Sequence, residues 1–179
     1  FVIDTSGRVI AWNQAMESMT QVKAGDILGK GDYAYSIPFW GDRRPIMIDL
    51  AMDWSEEKAA HYVYVQQQGQ TLISESNIPG LKPGGAVLFN AARALYNDQG
   101  EIVGAIESVR DVTDYRRAEM ALKNSEQRLA QVIDSLPDPA FVIDKQGVVQ
   151  LWNRAMEEIT GVKARDMIGR GDYEYALPF

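Results

Sequence analysis

The chain of 179 residues contains no cysteine. Disulfide frameworks, thiolate zinc sites, iron–sulfur clusters, thioether haem attachment and cysteine nucleophiles all need a sulfur ligand or attacker, so each is excluded. Histidine is nearly as scarce: His61 stands alone. No histidine pair, two-histidine carboxylate triad or Glu-x-x-His helix pair can therefore assemble within one chain. No apolar run approaches the roughly 20 residues of a membrane span, and the opening residues from Phe1 do not read as a signal peptide. The missing initiator Met and the start inside an apolar run lead to the expectation that Phe1 is a cut end, with any localisation signal upstream of it. Cations are also in deficit, since 18 basic residues against 25 acidic ones leave a net charge of −7. They are scattered along the chain, which argues against a phosphate-tracking nucleic-acid surface. What remains is 46% apolar and 24% charged, the composition of an ordinary globular protein with a real core. The length suits one domain and part of another.

A long repeat organises the chain. Phe1-Val2-Ile3-Asp4 returns as Phe141-Val142-Ile143-Asp144, and the match runs on to Phe39 and Phe179 with 23 identities in 39 positions. The offset of 140 is far beyond the 20–50 residues of solenoid units. Each copy is therefore expected to be a whole domain with its linker, the second cut short at Phe179.

One copy reads as mixed α and β. Phe1–Asp4 and Val9–Trp12 flank Thr5-Ser6-Gly7-Arg8 as a tight hairpin. Asn13 can cap a helix carrying Ala15, Met16 and Met19, and 23–28 before Gly29 suggests another helical turn. Pro45 suits an early helical position, followed by Ile46, Met47, Leu50, Ala51 and Trp54 at helical spacing. Residues 62–65, 71–78, 86–96 and 101–113 are strand-like, with turn residues between them. Strands, small helices and more strands describe an α+β domain with an antiparallel sheet covered on one face.

Asp4 with the Gly7 turn, Trp12-Asn13 opening a helix, Leu95-Tyr96-Asn97-Asp98-Gln99-Gly100 before a strand, and Arg110-Asp111-Val112-Thr113 at its end resemble a PAS domain. The stretch from Gly104 to Thr113 is similar to the C-terminal edge of PAS modules in microbial sensor histidine kinases. The resemblance covers Phe1 to Thr113 and restarts at Phe141. It implies a five-stranded antiparallel sheet in the order 2-1-5-4-3, with short helices over a small apolar chamber. Here the segment 54–78 adds what looks like an extra hairpin, 62–65 against 71–74. The expected organisation is a first PAS domain over 1–113, an interdomain helix over 114–136, and the N-terminal half of a second PAS domain over 137–179. That half is expected to lean on another chain or on the first copy.

Within 114–136, Tyr115, Ala118, Leu122, Ser125, Leu129, Val132 and Leu136 alternate spacings of three and four, the seam of a coiled coil. Two readings stay open: a helix packing back on its own sheet, or a parallel dimer stalk. Ser125 leaves room for a break near Asn124, and Pro137 forces the end. A rigid helix leaving the last strand converts movement of that strand into movement of the stalk, which makes Asp111 and Thr113 the signal-relay joint. Asp111 as a plain local cap is the competing reading.

The candidate chamber is lined by Ile46, Met47, Leu50 and Trp54, faced by Leu88, Asn90, Ala105, Glu107 and Val109. Either a small apolar or amphipathic ligand occupies it, or the side chains fill it themselves. If Asn90 and Glu107 point inward they need partners, for which Arg93 and Arg44 are candidates. Flavin photoadducts and coumaroyl esters need a cysteine and are excluded. Haem ligation by His61, and noncovalent flavin stacked by Trp12, Trp40 or Trp54, are disfavoured against a partly exposed histidine and ordinary core tryptophans. Gly29-Lys30-Gly31-Asp32 reads as a helix end and tight turn rather than a phosphate loop. Asp42-Arg43-Arg44 reads as a cap with solvated arginines, and Tyr33, Tyr35, Phe39 and Trp40 as a plug at one end of the chamber. No catalytic or metal constellation is present. The expectation is a cytoplasmic sensory and signal-relay module that homodimerises through the linker helix and PAS surfaces. It would couple to a downstream kinase or other output domain, without nucleic acid or membrane contact. The alternatives are a ligand-free dimerisation module and a haem or flavin redox sensor.

Overall fold

The computed structural model describes residues 1–60 and 62–176, so the reading of His61 lies outside the described residues. Two compact units are present, Phe1–Arg116 and Arg117–Phe179.

The first unit opens with β1 (Val2–Asp4) and β2 (Val9–Ala11). Asp4 closes their turn by accepting the Ser6 and Arg8 amides at 2.8 and 3.0 Å. Asn13 then accepts the Met16 amide at 3.0 Å and starts α1 (Gln14–Thr20). The Trp12 indole donates to the Val22 carbonyl at 3.1 Å, and Glu17 accepts the first amide of α2 (Ala24–Ile27) at 2.7 Å. Gly29 and Lys30 return to Val9 by backbone bonds, so the Gly-Lys-Gly-Asp segment is a turn. A 3-10 turn at Ala34–Ser36 leads to α3 (Ile37–Trp40), α4 (Met47–Met52) and α5 (Glu56–Ala59).

The helix expected to carry Ile46 through Trp54 is shorter at both ends. Ile46 caps α4 from outside, and at Asp53 the chain turns extended (φ −144°) before Ser55 caps α5. Trp54 therefore leaves the helical stripe and is 54% exposed.

Four further strands follow: β3 (Gln66–Gln68), β4 (Thr71–Ile78), β5 (Ala86–Tyr96) and β6 (Ile102–Asp111). The sheet is antiparallel with order β2-β1-β6-β5-β4-β3. It has six strands rather than five. The order implied by the resemblance is kept, with β3 appended at the edge. The extra hairpin also lies later than expected, because pairing begins at the Gly69-Gln70 turn with Gln68 opposite Thr71. Gly69 supplies the positive φ (+61°) that such short turns favour. Tyr62 and Val65, expected in that strand, instead pack on a cluster of Met47, Leu50, Leu72 and Ala92.

The main core lies between sheet and helices and includes Ile3, Val9, Trp12, Met16, Tyr35, Ile48, Ile78, Leu88 and Ala105. Burial contributes roughly 1.5–3 kcal/mol for each large aliphatic side chain. Gly104 lets β1 approach β6, since a Cβ there would overlap the Ile3 carbonyl oxygen.

After Val112 the chain enters α6 (Thr113–Asp134), one unbroken helix with no interruption near Asn124. Of the seam residues, Tyr115, Ala118, Leu122, Leu129, Val132 and Leu136 are all exposed in the single chain. Leu136 lies just past the helix end.

In the second unit β7 (Phe141–Ile143) and β8 (Val149–Trp152) pair as a two-stranded sheet, followed by α7 (Arg154–Thr160) and α8 (Ala164–Met167). Its local bonds repeat those of the first. Asn153 accepts the Met156 amide at 3.0 Å, the Trp152 indole donates to Val162 at 3.1 Å, and Glu157 accepts the Ala164 amide at 2.7 Å. Val149, Trp152, Met156 and Met167 form its small core.

Candidate functional site

The chamber under α4 and the exit of β6 into α6 are built from one strand. Residues 107, 109 and 111 of β6 share a face because side chains alternate along a strand. Glu107 and Val109 line a cavity together with Ile46, Leu88 and Asn90 of the predicted set, and Asp111 lies beyond its end. Phe39, Trp40, Tyr62, Ser76 and Ile78 complete the wall. Phe39 and Trp40 thus stand at the chamber, as expected of the aromatic run, whereas Tyr35 is buried beneath α4. The remaining predicted lining residues are elsewhere: Met47 and Leu50 belong to the separate cluster facing β4 and β5, Ala105 is buried in the main core, and Trp54 is on the surface. The cavity leaves about 10 Å³ of open space, room for about one water molecule.

Its polar groups have specific partners. Asn90 donates to the Ser76 hydroxyl at 3.0 Å. Glu107, 3% exposed, accepts the Ile48 amide at 3.0 Å. Asp49 accepts the Tyr35 hydroxyl at 2.5 Å and the Ile46 amide at 2.8 Å. Two buried carboxylates therefore hold amides of the first turn of α4, where a helix has no backbone acceptors of its own. Neither arginine takes the expected part. Arg44 pairs with Asp42 at 2.6 Å and lies over Trp40, while Arg93 is exposed on β5. Arg43 pairs with Asp32 at 2.6 Å.

Burial dominates the electrostatics. Desolvation pushes the Glu107 carboxyl up to about 8; the Ile48 amide opposes this, the Asp49 charge adds to it, and the terminal ammonium of Phe1 opposes it. Desolvation also raises Asp49, against the bonds from Tyr35 and Ile46. The Tyr35 and Tyr62 phenols are raised too, first by burial and then by Asp49 for Tyr35 and Glu107 for Tyr62.

At the exit, Asp111 accepts the Thr113 amide at 2.9 Å and the Thr113 hydroxyl, and its other oxygen pairs with Lys82. Thr113 in turn accepts the Val87 amide at 2.9 Å, and Val112 donates to the Val87 carbonyl at 2.9 Å. Arg116 forks onto Glu75 of β4, with Nε at 3.1 and 3.2 Å from its two oxygens. Desolvation would raise Asp111, but the bonds from Lys82 and Thr113 outweigh it and hold the carboxyl down at about 2. Asp111 is thus both a local cap and a tie between β6, the β4–β5 loop and α6.

Sequence reasoning missed Asp49 and Ser76, put Tyr62 in a strand, and put Tyr35 in the aromatic plug without its bond to Asp49. Asp49 did carry a signal, as the one acid in the apolar run 46–51. Tyr35 and Ser76 reach the site only through the fold. No group of three or more His, Asp or Glu among the described residues could hold a metal.

An antiparallel sheet cups a small chamber under short helices and passes from its last chamber strand into a long helix, the architecture of a compact α+β module. The chain belongs to the PAS fold family, whose models match residues 1–117 and 127–175. It is 28% identical over 180 residues to a phytochrome of Picea abies, covering 94% of this chain and 14% of that protein. To the sensor protein FixL of Bradyrhizobium diazoefficiens it is 32% identical over 60 residues, 34% of this chain and 12% of that protein. The PAS domain of Bordetella pertussis BvgS is similar over 70% of this chain and 81% of that one, with 18% identity and a TM-score of 0.41. The chain spans about one-seventh of the length of the curated relatives it matches along most of its length.

Proposed function

We propose that this chain is a sensory relay segment of a larger cytoplasmic signalling protein, of the sensor histidine kinase type, with PAS modules in tandem. The observation that carries the reading is the continuity of β6, which presents Glu107 and Val109 to the chamber and Asp111 to the cap of α6. A change in the chamber moves β6, and the Asp111–Thr113–Val87 bonds pass that change to the helix. The exposed seam of α6 supports a homodimer through which an output domain is driven. The segment relays a signal and performs no catalysis of its own.

The size of the cavity favours a specific form of this reading. With space for about one water molecule, the chamber as folded is filled by its own side chains, and an organic ligand enters only if Tyr62 or Trp40 moves aside. Native mass spectrometry of the chain tests this. A co-purifying small molecule that is lost in Asn90→Leu supports ligand sensing in the chamber. A bare dimer, with no thermal shift across a metabolite panel, supports the ligand-free coupling module. Absorbance above the aromatic band would point instead to haem or flavin.

A further inference from the structure

The smallest chemical signal that fits so small a chamber is a proton. Its wall offers the Glu107 carboxylate, the Asn90 amide, the Ser76 and Tyr62 hydroxyls and the Trp40 indole, and among the described residues no lysine or arginine side chain. A buried carboxylate without a cationic side-chain partner is costly to ionise, and it either takes a proton or draws in water or a cation. The space present, about that of one water molecule, has no room for a cation with its own water shell. We propose that the chamber senses protons, with Glu107 the acceptor and the first turn of α4 the responding element; this rests on the relay reading above for its output.

The geometry gives the mechanism. Protonated Glu107 still has a carbonyl oxygen to accept the Ile48 amide, and its hydroxyl adds a donor to the chamber without a net charge. Ionised Glu107 keeps the Ile48 bond but places its charge against the first turn of α4, near the Asp49 carboxylate that holds the Ile46 amide. Two charges on one buried turn repel, and relief comes from water entry or displacement of α4 from β6. Among the described residues, the other titratable or charged groups facing this node are Tyr35 and, behind it, Tyr33 next to the 3-10 turn; Tyr62 ahead of β3 with Arg44 near it; Lys58 of α5 toward Asp49; and the terminal ammonium of Phe1 beside β1. Among the described residues that ammonium, which donates to the Glu107 main-chain carbonyl at 3.0 Å, is the cation acting on the carboxyl.

The test is an NMR titration of the Glu107 side-chain carboxyl in the 179-residue chain, read with the Ile48 and Thr113 amides. Glu107 is expected to titrate near 8 instead of 4.5, with Ile48 following the same midpoint. The Ile48 transition is expected to vanish in Glu107→Gln and to persist when the N-terminus is acetylated, which removes the competing amine. A Glu107 midpoint below about 5, an Ile48 amide that ignores it, or loss of the transition on acetylation would each overturn proton sensing at Glu107. Thr113 reports separately on the relay: if Ile48 follows Glu107 and Thr113 does not, the proton site stands and the relay reading fails.

Discussion

Glu107 and Asp49 are acids placed where side chains are otherwise apolar, and their cost shows in the dependence of stability on pH. The native Glu107 carboxyl holds its proton to about 8, whereas its ordinary value is 4.5. Between those values the native chain binds a proton that the unfolded chain has released, so this contribution to stability is complete below pH 4.5 and is lost as pH rises through 8. The difference between the wild type and Glu107→Gln, measured by urea denaturation, should span about 3–5 kcal/mol over that window. Tyr35→Phe removes the hydroxyl donor from buried Asp49 and should cost about 1–3 kcal/mol. Both acids illustrate what the sequence could convey. The alternation of β6 already placed Glu107 on the same face as Ala105 and Val109. Its partner, an amide 59 residues away, depends on how α4 packs, which no local pattern records.

At the scale of elements, the repeat explains why so much local structure was legible. Its identities fall on the residues that make short-range bonds: the Asp4 and Asp144 turns, the Asn13 and Asn153 caps, and the Glu17 and Glu157 bridges to the next helix. Long-range placement is a different matter. Phe141, Val142 and Ile143 are exposed, although their counterparts Phe1 and Ile3 are buried. The sequence is the same; β1 has β6 beside it, and β7 pairs only with β8. The early end of α4 and the late start of β3 were illegible for a similar reason, since Ser55 and Gly69-Gln70 overrode a hydrophobic period that ran across them. Two element-scale predictions follow from close contacts. Gly104→Ala should pry β1 from β6 and cost several kcal/mol, visible as faster hydrogen exchange at the Glu107 amide, which donates to the Phe1 carbonyl at 3.0 Å across that pair. Thr113→Val deprives the Val87 amide of its acceptor, and should cost about 1–2 kcal/mol and raise exchange at Val87.

At the scale of the molecule, a small chamber, a strand and a helix with an exposed apolar seam lie in sequence. Heptad spacing announced the helix, and its continuity through Ser125 fits a stalk. Sedimentation equilibrium should find the chain dimeric, with Leu122→Asp combined with Leu129→Asp shifting it to monomer while its sheet signal persists; an unchanged dimer would place the interface elsewhere. The central claim, that β6 couples the chamber to α6, is tested most directly by a double-mutant cycle of Glu107→Gln and Asp111→Asn at pH 6.5. There Glu107 is protonated, so direct charge repulsion between the two sites is absent. The side chains are four residues and roughly 13 Å apart along the strand, a distance at which independent sites add to within about 0.5 kcal/mol. Coupling through β6 predicts an interaction energy above about 0.5 kcal/mol, and additive effects would contradict it.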